Sequence, residues 1–230
     1  MYNDNEVIRY LQTKRIFVLE LDHAFSGVGK QVRNQIDSLE KGATRLLYYT
    51  SCFTDEYNDV CQQQKTEDLR FRNAIIHIIE HGDVVQEMLK IYFEEIFKNK
   101  NNTQLEHIKK ALMAVNIHIA ASSLTGAGYA LAVATSVRIG LNLSMQLSAL
   151  AGRTAGTVAG VVSIYGVVQK AADSARRLHV QFPDYYSALY MRQLEMMYFL
   201  IEPLFEHSGA LNAPGSSDSD IAHIITRMIR

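Results

Sequence analysis

The sequence predicts an all-α fold, a multi-helix bundle of roughly ten helices around a hydrophobic, small-residue-rich central hairpin. Three observations carry that expectation. Apolar side chains recur at helical spacing in most segments, only three prolines interrupt 230 residues, and few stretches alternate with the period of a strand. The composition, 48% hydrophobic and 20% charged, supplies enough apolar surface for a core and excludes a disordered chain.

The first 110 residues read as charged amphipathic helices. Arg15-Ile-Phe-Val-Leu-Glu-Leu21 is apolar enough for a strand, and Ala24-Phe-Ser-Gly-Val-Gly29-Lys30 after it approaches a phosphate-binding loop. Two positions fail: Ala24 replaces the first glycine, and Gln31 stands where a hydroxyl should hold magnesium. Ser26 to Gly29 therefore reads as a bend between helices. Thr66, followed by Glu67 and Asp68, starts a helix that ends at Gly82. Asp83 caps the next, whose apolar face holds Val84, Val85, Met88, Leu89, Tyr92, Phe93, Ile96 and Phe97.

The middle of the chain is a different material. Residues 1–110 hold 15 basic and 17 acidic side chains, residues 111–172 hold three basic and none acidic, and residues 173–230 hold five and seven. Between Lys110 and Arg138 lie 27 uncharged residues, and between Arg153 and Lys170 lie 16. A bilayer needs about 20 residues as a helix, so the first is long enough and the second is short unless Lys170 snorkels. Both are rich in Ala, Gly, Ser and Thr. Residues 138–153 between them alternate in parity, but their Leu, Met, Gln and Ala favour helix over a short strand.

Gly152, Gly156 and Gly160 stand four apart, with Ala155, Ala159 and Ser163 in a parallel row. Glycine inside a helix costs about 0.5–1 kcal/mol relative to alanine in water, so three on one face call for close helix contact. In lipid such contact is a main source of association. In water it would mean a central helix buried on all sides, and the sequence leaves both readings open. If 111–137 and 154–172 cross as a hairpin, Lys109, Lys110 and Lys170 flank one side, while Arg138 and Arg153 sit in the loop on the other.

Downstream, Pro183-Asp184 opens a helix through Leu189, Leu194, Met197, Tyr198, Ile201 and Leu204. Tyr185, Tyr186, Tyr190 and Tyr198 on it suit a core or interface better than an aromatic belt at a bilayer surface. Residues 210–219 read as exposed linker, and Ile221, Ile224, Ile225, Met228 and Ile229 form a short amphipathic helix. The expected organisation is one helical domain over 1–208, with the hairpin at 111–172, a linker at 209–219 and the terminal helix at 220–230.

In general design the order of charged helices followed by an uncharged hairpin resembles the pore-forming domains of colicins and related bacterial toxins. The resemblance implies a bundle that hides a hairpin in water and turns it into a bilayer, as a membrane-inserting toxin or effector. It covers 1–172, whereas a colicin hairpin lies near its C-terminus and is free of the two arginines present here.

His77-Ile-Ile-Glu80-His81 matches H-x-x-E-H, whose two histidines can hold zinc while the glutamate acts as base. A third ligand is needed, and Glu106 and Glu195 have no motif around them, so the pair reads better as a helix end. Cys52 and Cys61 lack a C-x-x-C spacing and read as two free thiols. The expectation is therefore a chain without enzymatic activity, cofactor or metal. A net charge of -1 gives no general attraction to nucleic acid. The N-terminus lacks a signal-peptide pattern, which implies synthesis in the cytosol. The expected partner is a lipid membrane, and the alternatives are a membrane-anchored immunity or exclusion factor, or a soluble helical adaptor or homo-oligomer subunit. In the latter a protein would dock through 184–207 or 220–229.

Overall fold

A computed structural model describes residues 45, 51–52, 58–81, 83–119, 125–151 and 161–230. These residues form helices and turns, with no strand among them, so the all-α expectation holds. The strand-like and loop-like stretches at 15–21 and 24–31 lie outside the described residues, as do Gly152, Arg153, Ala155, Gly156, Ala159 and Gly160.

The chain divides into two compact units, one of residues 1–82 and 154–173, the other of 83–153 and 174–230. In the first, α1 (Asn58–His81) begins eight residues before the expected start at Thr66 and stops where expected, before Gly82. Phe71, Ala74 and Ile75 are buried on it. The same unit also holds the N-terminal part of α5 (Val161–Gln181), where Val167, Val168, Ala171 and Ala172 are buried. Cys52 and Cys61 are joined by a disulfide, not free: nine residues of separation let the chain turn back and bring their Cα atoms to 4.9 Å.

The second unit is organised around α2 (Val84–Phe97), which buries eight side chains, including Met88, Leu89, Tyr92, Phe93 and Phe97. Asp83 caps it as expected, its carboxylate accepting from the Gln86 amide at 3.0 Å. Next comes α3 (Asn102–Ala114), closed at its start by a capping box between Asn101 and Gln104. It ends inside the uncharged stretch of 111–137. The amides of Val115 and Asn116 turn back onto Leu112 and Met113 carbonyls, and Asn116 adopts a left-handed φ of 61°. The stretch is therefore divided between the last turn of α3 and the start of α4 (Gly126–Ala151). Arg138 lies inside α4, not in a loop between two crossings.

Small residues let α4 lie close to its neighbours. Tyr129, Ala130, Val133, Ala134 and Val137 are buried on the side that packs against α2. A Cβ on Gly140 would stand 2.6 Å from the Ile229 carbonyl oxygen of α8 (Asp218–Ile229). That helix buries Ile221, Ala222, Ile224, Ile225 and Met228 and packs on α3, α4 and α7 (Glu202–Ser208). Its apolar face is thus covered within its own chain.

The helix expected over 184–207 is three pieces: α6 (Pro183–Met191), a 3-10 segment Glu195–Leu200, and α7. Gln193, at φ 59°, makes the break. Tyr92, Tyr185, Tyr198 and Phe205 join these pieces to α2, with Tyr92–Phe205 ring centroids 4.7 Å apart and Tyr185 stacked on Phe205 at 5.7 Å. Gly209, at φ 76°, closes α7 in a left-handed turn that a side chain would strain. The stretch read as linker contains a 3-10 turn at Ala210–Asn212, with Ala210 and Ala213 buried. The Tyr92 hydroxyl donates to the Ala210 carbonyl at 2.9 Å.

Candidate functional site

Of the charges expected to flank a hairpin, Lys109 and Arg138 make ordinary surface contacts. Lys109 lies 4.0 Å from Glu106 on the same helix, and Lys110 is on the same exposed side of α3. The Arg138 guanidinium donates from Nε to both Asp83 carboxylate oxygens, at 3.0 and 2.8 Å, tying α4 to the start of α2. Lys170 is half-buried on α5 and carries a partner of its own.

His77, Glu80 and His81 fall on the last turns of α1, as the spacing required. Glu106 and Glu195 belong to the other unit. No group of three His, Cys, Asp or Glu side chains placed to hold a metal occurs among the described residues.

The polar cluster that the structure does assemble surrounds Arg45, whose side chain is fully buried. Its Nη2 donates to Asp68 Oδ1 at 2.6 Å and to the Gln64 carbonyl at 3.2 Å. Nε donates to the same Asp68 oxygen at 3.2 Å, and Nη1 to Glu67 Oε2 at 3.1 Å and Gln169 Oε1 at 3.2 Å. Gln169 passes the network on, its Nε2 donating to Asp173 at 2.9 Å. A planar fork with five donors suits such a set of oxygens, and burial strengthens each contact. Sequence spacing shows half of it: Gln64, Glu67 and Asp68 share one face of α1, but nothing in the sequence points to Arg45 or Gln169 as the other half.

In the second unit, burial pushes the phenols of Tyr92, Tyr129, Tyr185 and Tyr198 well above their usual range, with the Glu106 carboxylate adding to the effect on Tyr129. The Tyr185 hydroxyl donates to the Met88 carbonyl at 3.0 Å. These groups stay protonated near neutrality and hold the bundle together; they are not placed as bases.

Among the described residues of the second unit, apolar side chains are exposed together on two surfaces. Val180 at the end of α5 is 83% exposed, and Tyr190 and Met191 at the end of α6 are 42% and 80% exposed. His179 stacks on Tyr186 at 4.3 Å and Tyr186 tilts against Tyr190 at 5.7 Å, forming a short ladder beside them. The signal for Val180 was present in the sequence: it stands two residues from buried Leu178, on the polar side of its helix. On α4, Ala127, Leu131, Thr135 and Ile139 are exposed at four-residue steps and none is charged. No helix among the described residues is long and apolar enough to cross a membrane. No protein family, curated protein or solved structure matches this chain.

Proposed function

We infer that this chain is a non-enzymatic helical interaction protein that associates with copies of itself through the α5–α6 corner. The carrying observation is the exposure of Val180 and Met191 beside the His179–Tyr186–Tyr190 ladder. Apolar patches of this kind, centred on aromatic and Met side chains, are the chemistry of protein interfaces. The rim holds both charge signs, Asp184 near Lys98 at 3.6 Å and Arg192 near Glu87 at 3.4 Å, which a two-fold contact can match against itself. The segment 184–207 thereby supplies a docking surface, whereas 220–229 spends its apolar face inside the chain.

Sedimentation velocity across a concentration series tests this reading. The expected result is reversible association that Val180→Asp with Met191→Asp abolishes, leaving the helical circular dichroism unchanged. A wild-type chain that stays monomeric at high micromolar concentration overturns it.

A membrane-inserting, pore-forming role is the second reading, favoured by the uncharged outer stripe of α4 and by the lack of acidic residues over 111–172. Crossing by 111–137 would require the end of α3 and the start of α4 to join into one helix. Dye release from anionic liposomes at neutral and acidic pH, abolished by Gly156→Leu, would support it; neither release nor co-flotation would remove it. The same stripe could seat a membrane-anchored immunity or exclusion factor, which would co-float without releasing dye.

A further inference from the structure

We propose that the Cys52–Cys61 disulfide is a redox clasp coupled to the seat of Arg45, so that the oxidation state of the two sulfurs sets how firmly Arg45 is held against α1. The register supports it. Arg45 reaches Gln64, Glu67 and Asp68, and Cys52, seven residues further on, reaches Cys61, seven residues before Asp68. Arg45 and Cys52 are therefore both pinned to the same helix, in antiparallel order. When one pin is made, the chain freedom that the other must remove has already been lost, so each favours the other. That mutual dependence is a linkage: the disulfide strengthens the Arg45 seat by the same factor by which the formed seat favours the disulfide.

The chemistry needs a dithiol reductant. Its thiolate attacks Sγ of Cys52, the less buried of the two residues, and the Sγ–Sγ bond breaks toward Cys61, which is 1% exposed and leaves as a thiolate that takes up a proton. The second thiol of the reductant then displaces Cys52 from the mixed disulfide. Two electrons and two protons pass to the protein, and the reductant becomes a cyclic disulfide. Reduction removes the clasp and leaves the hydrogen bonds and ion pairs of Arg45 in place.

The test equilibrates the full chain with mixtures of reduced and oxidised dithiothreitol and measures the thiol–disulfide constant by alkylation and mass, with amide exchange of α1 as the conformational readout. Arg45→Lys keeps the charge and loses the fork. It should shift the constant toward the dithiol form by at least about fivefold, within the usual range of coupling between sites. Arg72→Lys, on the exposed side of α1, should leave it unchanged. Reduction of the wild-type chain should speed exchange over 58–69. If Arg45→Lys does not fold, Glu67→Gln and Gln169→Met decide in its place, and a shift in either supports the coupling. Equal constants in the wild-type chain and the folded variants overturn the proposal, as does a chain that keeps two alkylatable thiols under excess oxidised dithiothreitol.

Discussion

Gly140→Ala tests the packing of the second unit most sharply, because two effects of opposite sign compete at that position. In a helix with open space beside it, alanine for glycine stabilises by about 0.5–1 kcal/mol. Here the new methyl would stand 2.6 Å from the Ile229 carbonyl oxygen, 3.1 Å from its Cα and 3.2 Å from its carbonyl carbon, all of them backbone. No rotamer change relieves that contact, so the end of α8 must move away from α4 by several tenths of an ångström or more. Overpacking of this sort costs about 1–3 kcal/mol, which offsets or exceeds the propensity gain and leaves a net loss of roughly 0–2.5 kcal/mol. Gly140→Leu should go further and lift α8 off, exposing Ile221, Ile224, Ile225 and Met228, each worth about 1.5–3 kcal/mol when fully buried. Urea unfolding followed by circular dichroism reads the stability, and amide exchange over 218–229 reads whether α8 has come loose. Gly126→Ala is the control, since its Cβ would meet the Phe97 carbonyl oxygen at an ordinary 3.6 Å. A Gly140→Ala chain more stable than wild type would falsify the close approach of α4 and α8.

Removing single hydroxyls should separate the buried tyrosines. Tyr92→Phe and Tyr185→Phe lose bonds to the Ala210 and Met88 carbonyls and should each cost about 1 kcal/mol in urea unfolding. Tyr198→Phe should be neutral or stabilising, since its buried hydroxyl has no hydrogen-bond partner among the described residues. A loss above 1 kcal/mol there would contradict this. Asp83→Ala removes the α2 cap and the contact to Arg138 and should cost about 1 kcal/mol, whereas Asp83→Asn keeps the cap and should cost only a few tenths. Equal losses would mean that the ion pair dominates. The four buried phenols have folded-state pKa values raised above the unfolded value near 10. Their contribution is complete below pH about 10 and lost as pH rises further, because the unfolded chain releases those protons first. Absorbance at 295 nm should show their ionisation coinciding with alkaline loss of helix, and ionisation in a chain still folded would count against their burial.

Elements whose boundaries come from side-chain periodicity were legible in the sequence. The α2 face, its Asp83 cap, the end of α1 before Gly82 and the apolar stripe of α8 all follow from 3.6-residue spacing and cap chemistry. The breaks at Asn116 and Gln193 were not, because each depends on a non-glycine residue held left-handed by tertiary context, with no proline or glycine to announce it. Continuous lack of charge over 111–137 says nothing of where a helix stops. The linker reading of 210–219 rested on Pro, Gly and Ser, and it missed that Ala210 and Ala213 are small enough to pack inward. Of the candidate site, the exposed ladder at Tyr186 and Tyr190 shows in the sequence as aromatics at helical spacing. The seat of Arg45 does not, since its partners are up to 124 positions away.

The division of the chain has a consequence for its synthesis. One unit takes residues 1–82 and 154–173, and the other takes 83–153 and 174–230, with α5 contributing to both. Neither is a continuous piece of polypeptide. On the ribosome, the first unit must wait for its closing segment until the whole of 83–153 has emerged, and the second must wait for the last residues. Gene fragments cut at 82/83 or 153/154 would each encode parts of an unfinished core, so that the pair would have to find one another by complementation before either could fold.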